Sequence, residues 1–146
     1  MPYCSKTDIL NFLPQDELTQ LTDDDGNRVE DAGILDSVIS SADATIDGYL
    51  QVRKASVPLS PVPNLIRDFS IAITIFYLHS RRGIEFSTED IKRLRYENAI
   101  KTLEKIAEGK LSLGEGSSSA QTETGGPKTN KTSDDRVFTR NTMEGY

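Results

Sequence analysis

Residues Asn64–Arg82 read NLIRDFSIAITIFYLHSRR, and the assignment of this stretch decides the fold. In its middle, Leu65, Ile66, Phe69, Ile71, Ala72, Ile73, Ile75, Phe76, Tyr77 and Leu78 would put apolar groups on nearly every side of a helix. Isoleucine favours strands. A strand, however, averages about 5–6 residues, and this segment continues well past that length, so a helix is predicted. A helix without a polar side is either the central helix of a core or part of a subunit interface. The largely apolar run Phe69–Leu78 is short of the roughly 20 residues that span a bilayer, so no membrane segment is expected.

Upstream, Val57–Asn64 reads VPLSPVPN. Proline removes a backbone donor and keeps its predecessor out of the helical region, so this is an extended connector. Its third proline, Pro63, suits the first turn of the following helix. Before it, Ile34–Val52 repeats Leu35, Val38, Ile39, Ala42, Ile46, Tyr49 and Leu50 mostly at spacings of three and four. Asp36, Ser40, Asp43 and Asp47 occupy the other faces, Asp31 is the expected N-cap, and Gly48 is a weak point. Thr22–Val29, TDDDGNRV, is a turn. Pro14 opens a short helix carrying Leu18 and Leu21. Ser5 and Thr7 can cap an earlier one carrying Ile9, Leu10 and Leu13, with Asp8 completing a capping box.

Downstream, Ser87 to Asp90 forms a second capping box. The helix after it carries Ile91, Leu94, Tyr96, Ala99, Ile100, Leu103 and Ile106 to about Glu108, with Glu97 and Lys101 as an i,i+4 pair and Gly109 as its C-cap. Leu111 and Leu113 may be read as a short extended piece, and no strand is predicted. The expected fold is all-α, a small bundle of four to five helices with a proline-rich extended connector and a flexible C-terminal tail.

Composition changes after Leu113. Gly114–Asp135, GEGSSSAQTETGGPKTNKTSDD, holds one alanine and no larger aliphatic or aromatic residue, the composition of a flexible linker. Arg136–Tyr146, RVFTRNTMEGY, brings back apolar residues and reads either as a docking peptide or as a frayed tail with chance apolar residues. The expected organisation is a helical domain over residues 1–113, a linker over 114–135 and the docking peptide over 136–146.

The 146 residues allow one globular domain, and the net charge of -6 gives no basic face for free nucleic-acid binding. Cys4 is the single cysteine, so no internal disulfide can form, as suits a reducing compartment. The N-terminal MPYCSKTD lacks the basic-then-apolar pattern of a signal peptide.

Little in the sequence points to chemistry. His79, the single histidine, sits near a helix end and is expected to cap carbonyls. The run Asp23–Asn27 suggests a calcium loop, but with Gly26 at loop position six, Leu21 and Ala32 fall where ligands are required. Cys4 is expected to be an inert, partly buried thiol. The doublets Arg53–Lys54 and Arg81–Arg82 complement helix ends. Phosphate-loop, dinucleotide and nucleophile-elbow motifs are missing from the sequence. No enzyme activity, metal or cofactor is expected. The over-apolar helix, the proline segment and the tethered apolar tail suit assembly instead.

The stretch Ile46–Leu78 resembles the Mu-type phage and prophage neck proteins through Asp47, Gly48, Tyr49, Leu50, Pro58, Leu59, Val62 and Pro63. Tyr3-Cys4 with Asp8-Ile9-Leu10, Arg95-Tyr96-Glu97 with Gly109-Lys110, and Phe138-Thr139-Arg140 with Gly145-Tyr146 extend the resemblance over nearly the whole chain outside the linker. The resemblance implies a head-tail connector, or head completion protein, made in the bacterial host cytoplasm and placed in the virion neck. It implies a ring, usually dodecameric, between the portal and the tail terminator or next neck protein. DNA would pass through the lumen without sequence-specific contact, and acidic walls would let it slide. On this reading Phe69, Ile71, Ile73, Ile75, Phe76, Pro58, Pro61 and Pro63 form the oligomer or partner interface. Val137, Phe138, Arg140, Met143 and Tyr146 anchor the tail on the portal or an adjacent subunit. The alternative is a small helical DNA-binding regulator of phage or prophage origin. Its recognition helix, Ile91–Lys105, would mix Lys92, Arg93 and Arg95 with Glu97 and Glu104, just after Glu89 and Asp90. A third reading, an enzyme, would have to work with Asp and Glu alone.

Overall fold

In a computed structural model, the structure describes residues 1–53 and 55–113. The described residues form five helices and no strand: α1 (Lys6–Leu10), α2 (Gln15–Thr22), α3 (Ala32–Val52), α4 (Asn64–Arg81) and α5 (Ile91–Ala107). The all-α expectation holds. α3, α4 and α5 pack pairwise as a three-helix bundle, with α1 against α4 and α2 against both α3 and α4. Among the described residues no helix is long and apolar enough to cross a membrane.

Local chemistry sets most helix ends. The Asp8 carboxylate accepts from the Ser5 amide at 2.8 Å while Ser5 Oγ accepts from the Asp8 amide at 3.3 Å, which closes the first capping box. The Asp31 carboxylate accepts from the amides of Gly33 and Ile34 at 2.8 and 3.3 Å. At the far end, Gly109 takes a φ of +81°, a left-handed conformation that glycine adopts without strain, and the Lys110 amide turns back to the Lys105 carbonyl.

Three local expectations shift. Ser87 does not cap α5. Asp90 does, its carboxylate accepting from the Lys92 amide at 2.8 Å, while its own amide donates to the Ser87 carbonyl. An aspartate directly before the helix reaches the second amide and sets its charge against the positive end of the dipole, so the helix starts after residue 90. Pro14 and Pro63 stand just before α2 and α4, at extended ψ values of 146° and 143°, rather than inside the first turn. Leu111–Leu113 forms no strand, and Leu113 packs half-buried against the core.

The core explains why α4 is apolar on so many sides. One stripe, Ile71, Ile75 and Leu78, packs with Ile9, Leu13, Leu18 and Leu21 of the first two helical segments and with Leu35, Val38 and Ile39 of α3. A second stripe, Ile66, Phe69 and Ile73, packs with Ala42, Ile46 and Leu50 of α3 and with Ala99, Leu103 and Ile106 of α5. Each fully buried side chain of this size contributes about 1.5–3 kcal/mol of transfer free energy.

The structure therefore corrects part of the interface expectation. Phe69, Ile71, Ile73 and Ile75 are at most 9% exposed, covered by other helices of the same chain, and offer no surface to a neighbour. Phe76 is half-buried, its ring stacked on Tyr96 with centroids 3.9 Å apart and on Phe86 at 5.3 Å. The connector differs again. Val57, Leu59 and Val62 pack against the second stripe's cluster, whereas Pro58 and Pro61 are exposed and Pro63 is half-buried.

Candidate functional site

The polar residues with chemical potential are engaged in holding the fold. Cys4 is buried, with its Sγ 3.2 Å from Ser70 Oγ, and burial pushes its thiol up, so it stays protonated. Its neighbour Tyr3 ties the N-terminal arm to α3 and to the connector. The Tyr3 amide donates to Asp43 at 3.0 Å, the phenol donates to Asp47, and the same phenol oxygen accepts from the Leu59 amide at 3.1 Å. Burial and the bond to Asp47 push the Tyr3 phenol up to about 12. Burial also pushes the Asp43 carboxyl up, although Ser70 Oγ donates to it at 2.8 Å.

Asp43 and Asp47 were expected to lie on solvated faces of α3. They are half-buried tethers instead. Their i,i+4 spacing puts both on one side of the helix, and the motif Tyr3-Cys4 was visible, but the approach of residue 3 to residues 43 and 47 has no local signal.

His79 joins three helices rather than capping a terminus. It is 3% exposed, and its Nδ1 lies 2.8 Å from the Ile75 carbonyl of its own helix. A carbonyl only accepts, so Nδ1 carries the proton. Nε2 faces Glu17 of α2 at 2.8 Å and Lys92 of α5 at 3.1 Å. Lys92 also reaches Glu17, at 2.5 Å. Burial pushes the Glu17 carboxyl up, but the bonds from Lys92 and His79 outweigh that and hold it below the usual carboxylate range.

The acidic turn after α2 is likewise occupied by protein donors. The Asp23 carboxylate accepts from the amides of Asn27 at 3.1 Å and Arg28 at 2.8 Å. Arg81 binds both oxygens of Asp24 at 2.8 and 2.9 Å, and its hydrogen bond holds that carboxyl low. Arg81 and Arg82 also donate to the Leu21 carbonyl at 3.0 and 3.1 Å, so this doublet staples the C-terminus of α2. Among the described residues, no three His, Cys, Asp or Glu side chains gather as a metal site.

The surface left uncovered is apolar and proline-bearing. The first part is a groove of about 550 Å³ between the end of α3, the connector and the end of α5, with Arg53, Pro58, Leu59, Ile106 and Leu113 among its walls. Pro58 stands on its connector side, Pro61 is exposed further along the connector, and Arg53 reaches the Leu111 carbonyl at 3.4 Å. The second part lies on the outer side of α5, where Ile91 is 69% and Leu94 43% exposed. The Arg95 guanidinium beside them covers the ring of Phe12 at 4.8 Å. Sequence reading had counted Ile91 and Leu94 with the other apolar residues of this helix. The expected docking residues Val137, Phe138, Arg140, Met143 and Tyr146, with the linker before them, lie outside the described residues.

The model of the family described as Bacteriophage Mu, Gp36 matches residues 3–131. The chain is similar to Gene product J of Escherichia phage Mu, 30% identical over 110 residues that cover 75% of this chain and 74% of that protein. It is also similar to Mu-like prophage FluMu protein gp36 of Haemophilus influenzae, 30% identical over 118 residues that cover 80% and 77%.

Proposed function

Because the chain belongs to the Bacteriophage Mu Gp36 family, we propose that it is a structural virion protein, a head-tail connector that forms a ring between portal and tail and extends the DNA channel. One contrast carries this reading. The polar groups that might have done chemistry are bonded inside the fold, while Pro58, Pro61, Ile91 and Leu94 face outward. Exposed apolar side chains and extended proline segments are each used as surfaces for other proteins. The net charge of -6 favours a channel wall that repels phosphates over a groove that holds them.

The regulator reading has less support. Two of the three cations that this reading relied on are engaged within the chain, Lys92 with Glu17 and Arg93 with Glu97 at 2.9 Å. Gel-shift titration at moderate salt separates the two readings, since a connector gives no sequence-specific complex.

The tail supplies the direct test. Deleting Arg136–Tyr146 is expected to leave the described helices folded, as circular dichroism would report. Particles made with the truncated chain should lack a joined neck in electron micrographs. Normal tailed particles from that deletion would overturn the assignment of the tail as a docking peptide. Micrographs that locate the intact chain anywhere other than the neck would overturn the connector itself.

A further inference from the structure

We infer that the outer face of α5 packs lengthwise on the outer face of α3 of a second copy, as the repeated lateral contact of the ring. The inference rests on the ring reading above and names the surfaces that would build it.

The two helices carry opposite charge. α3 has no lysine or arginine over its whole length, and of its three aspartates Asp36 is exposed, while Asp43 and Asp47 are half-buried and bonded to Tyr3. α5 has five cations against two glutamates. Lys105 forms no ion pair among the described residues, and Lys101 makes only a long one, 3.8 Å from Glu97. Lys101 and Lys105 lie on the same exposed side as Ile91, Leu94 and Asn98, at helical spacings of three and four. This face is therefore apolar at one end and cationic at the other, with no helix among the described residues covering it.

The α3 face has the complementary shape as well as the complementary charge. Ser37, Ser41, Ala44 and Gly48 are exposed along one side, beside the exposed Asp36. A methyl group added at Gly48 would meet nothing within 4 Å, so no contact within the chain requires glycine there. Small side chains let a second helix approach closely, and larger ones on the incoming helix fill the space. Joining two different faces is a head-to-tail contact, which closes into a ring when the rotation permits.

The test counts copies of the chain per particle with wild type, with Lys101→Glu/Lys105→Glu, with Asp36→Lys/Ser41→Lys, and with the two variants co-expressed. Juxtaposed like charges should lower incorporation of either variant alone by about ten-fold or more, and co-expression should return it to within about two-fold of wild type. Rescue follows because each reversed face then meets its opposite. A second measurement does not depend on charge. In assembled particles, a chain carrying Ala44→Cys and Asn98→Cys, treated with a short bis-maleimide, should give a ladder of covalent multimers, while either cysteine alone gives none.

Full incorporation of either charge variant, dimers from a single cysteine, or no ladder from the pair would overturn the face assignment and leave the ring standing. A wild-type particle holding one copy would remove the ring itself. Duplex DNA bound by the wild type but not by Lys101→Glu/Lys105→Glu, together with a missing ladder, would assign the α5 face to DNA and overturn the contact.

Discussion

α4 and α5 are neighbouring helices of nearly equal length, 18 and 17 residues, and they are used in opposite ways. α4 buries nine of its residues within the chain, whereas α5 buries three. α4 has the greasier sequence, yet α5 carries the uncovered Ile91 and Leu94. Apolar content alone thus marks the helix that the chain wraps itself around. The proposed contact uses apolar residues left over when the internal packing is complete.

The sharpest way to break this contrast is truncation on each helix. Ile73→Ala, at a fully buried site touching both α3 and α5, should cost about 2–5 kcal/mol in denaturant unfolding, through lost transfer energy and a residual cavity. Ile91→Ala, at a site 69% exposed, should stay within about 0.5 kcal/mol of wild type. Equal losses would mean that α5 is packed as fully as α4.

A smaller effect concerns the polar tie between α4 and α3. Ser70 is fully buried, and its hydroxyl donates to Asp43 at 2.8 Å. Ser70→Ala leaves Asp43 with the Tyr3 amide as its remaining donor, and equilibrium unfolding should show a loss of about 1–3 kcal/mol. A neutral result would put water in place of the hydroxyl.

The smallest effect sharpens the account of α5, whose N-terminal turn is held through Lys92 and Glu17. The Glu17 carboxyl is held below its ordinary value of 4.5, so its ionised form stabilises the fold above that pH, and the contribution fades as pH falls through the lowered folded value. Glu17→Gln should therefore lose stability relative to wild type at pH 7, by under about 1 kcal/mol because the pair is partly solvated. Thermal melts should show the two proteins converging below pH 4.5. A gap that persists undiminished in acid would mean the carboxylate charge is not what holds Lys92.

The helices were largely legible in the sequence because their signals are local. Periodicity at three and four located α3, α4 and α5, and Ser5, Asp31 and Gly109 marked ends that the structure retains. The cap of α5 fell on Asp90, which the sequence reading had taken as the closing residue of a box begun by Ser87, three positions earlier. The candidate surface was legible only in part. Pro58 and Pro61 were marked and are exposed, whereas Phe69, Ile71, Ile73 and Ile75 were marked for the same trait that takes them inside.

By itself the amino-acid sequence determined where the chain coils, where it cannot and where its apolar content ends, since capping, proline geometry and composition act over a few residues. Only the tertiary structure decided that α4 is enclosed from two sides, that Tyr3 meets Asp43 and Asp47, that His79 joins α2 to α5, and that Ile91 and Leu94 stay outside. Those outcomes depend on which helices come together across 40 or more positions of chain, as for Tyr3 and Asp43. The resulting coverage belongs to the packing and to no residue alone.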